Sequence, residues 1–253
     1  MMLRHATRSS LLLCGLALGS AGLAHAGDFV ISPLRVTLSR EVKSTQIEVR
    51  NDDTRPLRVQ MQAMAWSQDD GGKDRYVESD GLLFFPKTME IPPGQSHIVR
   101  LGAKALPASV EDAYRLFIAE LPGPEDQAAS GSASVRILLR VGVAVFVAPL
   151  APRPAAELGS PALRHGAVEL TVSNTGNVHI AADRLAMVGL DREGKPLFET
   201  PFQDRYFLAG TTKRLHAQIP REQCAQLAGL QAVLVGSGVD LKRRLDVTPA
   251  DCK

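Results

Sequence analysis

Side chains capable of acid–base, metal or nucleophilic chemistry are few in this chain, and their spacing serves none of it. Past residue 26 the histidines are His97, His165, His179 and His216. None stands at metal-ligand spacing from another or from a cysteine. No Gly-x-Ser-x-Gly elbow occurs, and Gly236-Ser237-Gly238 is too short for a nucleotide fingerprint. Trp66 and Tyr76 read as core and loop residues rather than as a sugar platform. The sequence therefore predicts no enzyme, no metal and no cofactor. Two cysteines, Cys224 and Cys252, lie near the C-terminus. In an oxidising compartment such a pair forms a disulfide, although spacing alone leaves two unpaired thiols open.

The chemistry that the chain does advertise is that of the main chain. Between Ser134 and Val147, aliphatic residues occupy every second position without a break: Val135, Ile137, Leu139, Val141, Val143, Val145 and Val147. A strand puts alternate side chains on one face, so these form a single row of about 40 Å, longer than an ordinary strand. Arg136, Leu138, Arg140, Gly142, Ala144 and Phe146 fill the other face. Val143, Val145 and Val147 are expected in a core. The earlier half adjoins a Gly- and Ser-containing loop over residues 123–132 and is expected to be exposed. Exposed aliphatic edges invite aggregation, and one kept in an exported protein points to a partner that completes it by strand addition.

Export is read from the first 26 residues. A basic start (Arg4, Arg8), an apolar stretch from Leu11 to Leu23 and Ala24-His25-Ala26 have the order of a secretory signal peptide. Cys14 lies inside that apolar stretch, after leucines, and is expected to be discarded rather than lipidated. No later stretch approaches the roughly 20 apolar residues of a membrane span, so no membrane insertion is expected. Of 29 basic and 27 acidic residues, Arg4 and Arg8 leave with the leader, so the remainder carries no net charge. That balance offers nothing to nucleic acid.

The elements that must hold the long strand are strands themselves. Val30–Leu38, Thr45–Val49, Leu57–Trp66, Leu82–Phe85 and Tyr114–Leu121 read as strands. Met89–Ile91 and Ser96–Leu101 read as a pair about the turn Pro92-Pro93-Gly94, and Asp69–Asp80 reads as a loop. The most Pro-rich stretch, Pro149–Pro161, predicts a domain boundary. The divisions expected are 1–26 for the leader, 27–149 for a first domain and 150–253 for a second. In the latter, Val168–Ser173, Arg184–Leu190, Arg214–Ile219, Ala232–Val235 and Leu241–Val247 read as strands, with one helical turn over Arg221–Leu227. This pattern predicts an all-β chain of two immunoglobulin-like β-sandwich domains.

Several segments in order resemble the periplasmic chaperones of the chaperone–usher pilus pathway, the PapD-like proteins. They are Ile31-Ser32-Pro33-Leu34-Arg35-Val36, Val49-Arg50-Asn51-Asp52, Val59-Gln60-Met61-Gln62-Ala63 and Leu82-Leu83-Phe84-Phe85-Pro86. Ile91-Pro92-Pro93-Gly94-Gln95 with Val99-Arg100-Leu101, and Tyr114-Arg115-Leu116-Phe117 running to Pro122, complete the match. The resemblance covers residues 28–149 and is weaker beyond. It implies two sandwiches set at an angle about a cleft, with pilus or fimbrial subunits and an outer-membrane usher as partners. It also implies a strand lent to the subunit through Val135, Ile137, Leu139 and Val141. In the family an Arg and a Lys anchor the subunit's terminal carboxylate. Arg35 matches the Arg, but the Lys position falls on Ala144, leaving Arg140 or Arg115 as replacements. Arg100 with Glu111 or Asp112 resembles an internal ion pair of the family. The missing Lys and the spacing around Tyr114 point to a divergent branch, such as an archaic or alternative usher system. The competing expectation is a secreted fimbrial subunit or adhesin. Arg35, the two-domain length and the internal position of the strand speak against it.

Overall fold

The computed structural model describes residues 28–123, 137–219, 221–224 and 226–248. The expected leader, Val135 and Cys252 lie outside them. Among these residues the fold is all-β apart from one helical turn, α1 (Arg221–Cys224), and consists of two immunoglobulin-like sandwiches. No helix among the described residues is long and apolar enough to cross a membrane.

One sheet of the first sandwich contains β1 (Phe29–Ser32), β3 (Ser44–Asn51), β8 (Ser96–Ala103) and β6 (Leu82–Phe85) in that order. The facing sheet runs β2 (Arg35–Leu38), β10 (Arg140–Val147), β9 (Asp112–Glu120), β4 (Leu57–Gln68) and β5 (Asp74–Glu78), with β7 (Thr88–Ile91) on the other end of β4. Alternation decides which side chains meet between the sheets. Ile47, Val49, Val59, Leu116, Ile118, Val143 and Val145 are fully buried there, while the residues between them face outward.

The second sandwich holds β11 (Ala156–Leu158), β12 (Ala162–Arg164), β13 (Ala167–Asn174) and β18 (Thr212–Gln218) in one sheet. Another contains β16 (Pro196–Pro201), β15 (Arg184–Leu190), β19 (Gly229–Gly236) and β20 (Val239–Asp246). The short pair β14 (Ile180–Ala181) and β17 (Tyr206–Phe207) completes the set. Leu170, Ile180, Met187, Phe207, Leu230 and Leu234 are the fully buried centre of its core.

Four expectations are corrected. Val30–Leu38 is two strands: Pro33, which has no N–H to give a ladder, separates β1 from β2, and these join opposite sheets. The polar stretch 69–80 contains β5, which pairs with the end of β4. Its turn is closed by the Asp69 carboxylate, which accepts from the Gly71 and Lys73 N–H groups at 3.1 and 2.9 Å. Exposure on both faces of this edge strand erased the alternation. β7 and β8 do not pair with each other: β7 bonds β4 and β8 bonds β3, so Pro92-Pro93-Gly94 carries the chain between sheets. Finally, the long strand begins at Arg140 rather than Ser134, residues 137–139 being described outside any strand.

Each sandwich repeats one polar device. Asn51, fully buried, donates through Nδ2 to the carbonyls of Arg55 (2.7 Å) and Ile91 (2.9 Å) and accepts from Asp53 N–H (3.0 Å). Asn174 does the same with Val178 and Phe207 (both 2.8 Å) and Gly176 N–H (2.9 Å). A buried amide is tolerated because its bonds are satisfied. The loop so fixed after Asn174 carries Asn177 and His179, which reach the first sandwich.

Candidate functional site

The site is built on β10. Glu120 N–H donates to the Leu139 carbonyl at 2.9 Å, and Ala144 N–H donates to the Leu34 carbonyl at 3.0 Å. Main-chain groups alternate sides along a strand, so odd-numbered residues of β10 bond β9 and even-numbered ones point toward β2. β2 reaches back only as far as Ala144, the partner of Arg35. Arg140 and Gly142 therefore present their N–H and C=O groups along an edge with no partner strand among the described residues. That open edge runs end to end with β2. An added strand would finish against Leu34 and Arg35.

The side chains along this edge divide as the alternation requires. Val143, Val145 and Val147 are sealed in the first core, and Val141 packs half-buried against it. Val141, unlike Ile137, thus already packs on its own sandwich. Ile137 and Leu138 are 56% and 44% exposed, and Leu139 is half-buried. The Glu120 carboxylate holds Leu139 N–H at 3.3 Å.

On the opposite face, Arg35, Ala144 and Arg115 are register partners on three adjacent strands. Their side chains share one face, with the two arginines about 10 Å apart at the backbone by ordinary strand spacing. Ala144 between them bears only a methyl. The Arg115 guanidinium lies 4.0 Å from the Trp66 ring and 5.4 Å from the Tyr206 ring of the second sandwich. Its Nη1 donates to the Gly142 carbonyl at 3.3 Å, while its buried Nε has no acceptor. Arg140 covers Phe117 at 3.9 Å. No ion pair engages Arg35, Arg115 or Arg140 among the described residues. Gly142 makes this layering possible, because a Cβ there would stand 3.1 Å from the Phe117 ring. A glycine inside a β-branched run is the sequence signal for such an approach.

The sandwiches meet at the far end of β10. Phe146 is fully buried and stacks on His179 at 3.5 Å and 8°. Trp66 and Tyr206 lie 5.8 Å from the Phe146 ring on other sides, and Leu208 and Ala113 complete the cluster. Polar bonds surround it. Gln68 Nε2 donates to the Tyr206 carbonyl at 3.1 Å and Gln68 Oε1 accepts from Leu208 N–H at 3.0 Å. Asn177 Nδ2 donates to the Ser109 and Ala151 carbonyls at 2.8 and 3.0 Å.

The expected ion pair of Arg100 with Glu111 or Asp112 is not formed. Arg100 lies exposed on β8, in the other sheet. Glu111 faces the second sandwich, where its Oε1 accepts from His179 N–H at 2.9 Å and lies 2.8 Å from His179 Nδ1. The Glu111 carboxylate is almost completely buried. Partial desolvation, and then the neighbouring Glu111 charge, hold the Asp112 carboxyl above the ordinary carboxylate range. This clasp joins residues 68 apart and leaves no local trace in sequence. Cys224 is buried in the second core; its expected partner Cys252 lies outside the described residues.

The fold is thus two immunoglobulin-like sandwiches, with one edge of β10 open among the described residues. The first sandwich belongs to the PapD-like family of pilus chaperones: residues 28–152 match the PapD N-terminal domain of the pili and flagellar-assembly chaperones. Similar solved structures carry the same fold over both sandwiches. YadV chaperone matches with TM-score 0.57 and 14% identity over 87% of this chain and 100% of that one. The SafA pilin–SafB chaperone complex of Salmonella enterica gives 0.56 and 12%, covering 88% and 98%. A chaperone–tip subunit pre-assembly complex, CsuC–CsuE, from archaic chaperone–usher Csu pili of Acinetobacter baumannii, gives 0.54 and 18%, covering 86% and 98%. No curated sequence relative matches the chain.

Proposed function

We propose that this chaperone acts in the periplasm, holding incomplete pilus or fimbrial subunits by lending them an edge strand and passing them to an outer-membrane usher. The observation that carries the reading is the open edge at Arg140 and Gly142, preceded by the exposed Ile137 and ending beside Arg35. Main-chain bonds along that edge bind any extended segment, and Val135, Ile137 and Leu139 would fill pockets in a sandwich that lacks a strand. Arg35 and Arg115, neither paired with a carboxylate among the described residues, would take the terminal carboxylate of the strand laid end to end with β2. Arg115 fits that role better than Arg140, because it shares the row of Arg35. On this reading the chain is exported, with its leader at 1–26, sandwiches over 27–149 and 150–253, and a Cys224–Cys252 disulfide closing the C-terminus. The chaperone–subunit complexes among its structural neighbours make pilus subunits the natural partner.

The anchor is tested with Arg35→Ala. A hydrogen bond between charged groups contributes about 1.5–3 kcal/mol, so subunit affinity should fall roughly ten- to hundredfold with the melting temperature unchanged. Arg35 is exposed, so its loss leaves no hole. Equal affinity in the variant would remove Arg35 from the site.

A further inference from the structure

Arg115 and Gly142 touch at the open edge itself. Gly142 is one of the two β10 residues whose main chain faces that edge, and its carbonyl is where a docked strand would place an N–H. In this structure Arg115 Nη1 already occupies that acceptor, at 3.3 Å. Beyond that carbonyl the guanidinium meets only the neutral Tyr76 hydroxyl; its Nε is buried without an acceptor, and two aromatic faces hold the group in place. A long hydrogen bond to a neutral carbonyl is a weak use of a guanidinium, and a carboxylate within reach is a stronger partner.

We infer that Arg115 is a two-position residue, which caps the Gly142 carbonyl while the edge is empty and transfers to the terminal carboxylate of an incoming strand as that strand takes over the carbonyl. The inference rests on the strand-lending reading and adds its regulation. In the empty state the cap satisfies an edge acceptor, which lowers the tendency of β10 to pair with a second copy or with a chance strand. A segment ending in a carboxylate near Arg35 supplies the group that draws Arg115 off the edge. An extended segment without one has to displace the cap unaided. The occupant selected is therefore an extended polypeptide with a free C-terminus at that position. Trp66 is the only tryptophan of the chain and lies under the guanidinium, so its emission reports the transfer.

The experiment uses the full chain and two synthetic peptides of alternating valine and serine, one ending in a free carboxylate and the other in an amide. Wild type should bind the acid about tenfold more tightly than the amide, the worth of one charge-assisted bond. Only the acid should change Trp66 emission. Arg115→Met should lose most of that preference and should associate with the amide peptide faster than wild type does, its edge being uncapped. Arg115→Lys, which keeps the charge without the planar fork, should retain part of the preference. An unchanged acid-to-amide ratio in Arg115→Met overturns the transfer, and an unchanged association rate with the amide overturns the cap. If neither peptide binds wild type, the strand-docking reading itself falls, and this inference with it.

Discussion

Replacing Ile137 by Asp together with Leu139 by Asn should abolish co-purification with pilus subunits while leaving the chaperone folded. Ile137 is more than half exposed and Leu139 is only half-buried, so neither contributes much to its own core. Bound to a subunit, each would bury an aliphatic side chain for about 1.5–3 kcal/mol. The variant forfeits both contributions and asks a charge and an amide to enter an apolar groove. The combined loss corresponds to at least about a hundredfold in affinity. Asn is chosen at 139 because a second carboxylate beside Glu120, which holds the Leu139 N–H, would strain the base of the β9–β10 hairpin. Pull-down from cells expressing subunits reads the first effect and a thermal melt reads the second. Subunits retained at wild-type level would exclude these side chains as donors.

Phe146→Ala should be the most destabilising single truncation at the junction of the sandwiches. Its ring is fully buried and touches aromatic groups from both sides of that junction, with His179 stacked on it. Losing a buried phenylalanine costs about 3–5 kcal/mol, part of it from the cavity left behind. Here the cavity would open beneath Trp66, whose indole also supports Arg115. The denaturant midpoint should fall, and Trp66 emission should move toward that of a solvated indole before global unfolding. A loss below about 1 kcal/mol, less than an ordinary core truncation, would mean that the clasp of Gln68, Asn177 and Glu111 holds the sandwiches unaided.

Alternation was the part of this fold legible in the sequence. Val143, Val145 and Val147 read as core because period two with aliphatic residues admits little else, and they are sealed. Arg35 and Arg115 stand out in the sequence only as separate candidates. Their common row became visible through the registers of β2 and β9 on β10, which are long-range facts. β5 was missed because an edge strand exposed on both faces loses its period, and the break between β1 and β2 because strand-forming residues flank Pro33 on both sides. The Glu111–His179 clasp was beyond reach for another reason: it forms between sandwiches, where neither residue's neighbours in sequence carry a signal. Arg100, chosen by resemblance, sits on the wrong sheet for the pair assigned to it.

The measurement that bears most directly on strand lending is amide hydrogen exchange along β10, in the free chain and in complex with a pilus subunit. Val141 and Val143 already bond β9 and should exchange slowly in both states. Arg140 and Gly142 face the open edge; they should exchange fast in the free chain and at least about tenfold more slowly in the complex, each other residue alternating in step. A complex in which Arg140 and Gly142 exchange as fast as in the free chain would contradict the account, because the subunit would then be held somewhere other than this edge.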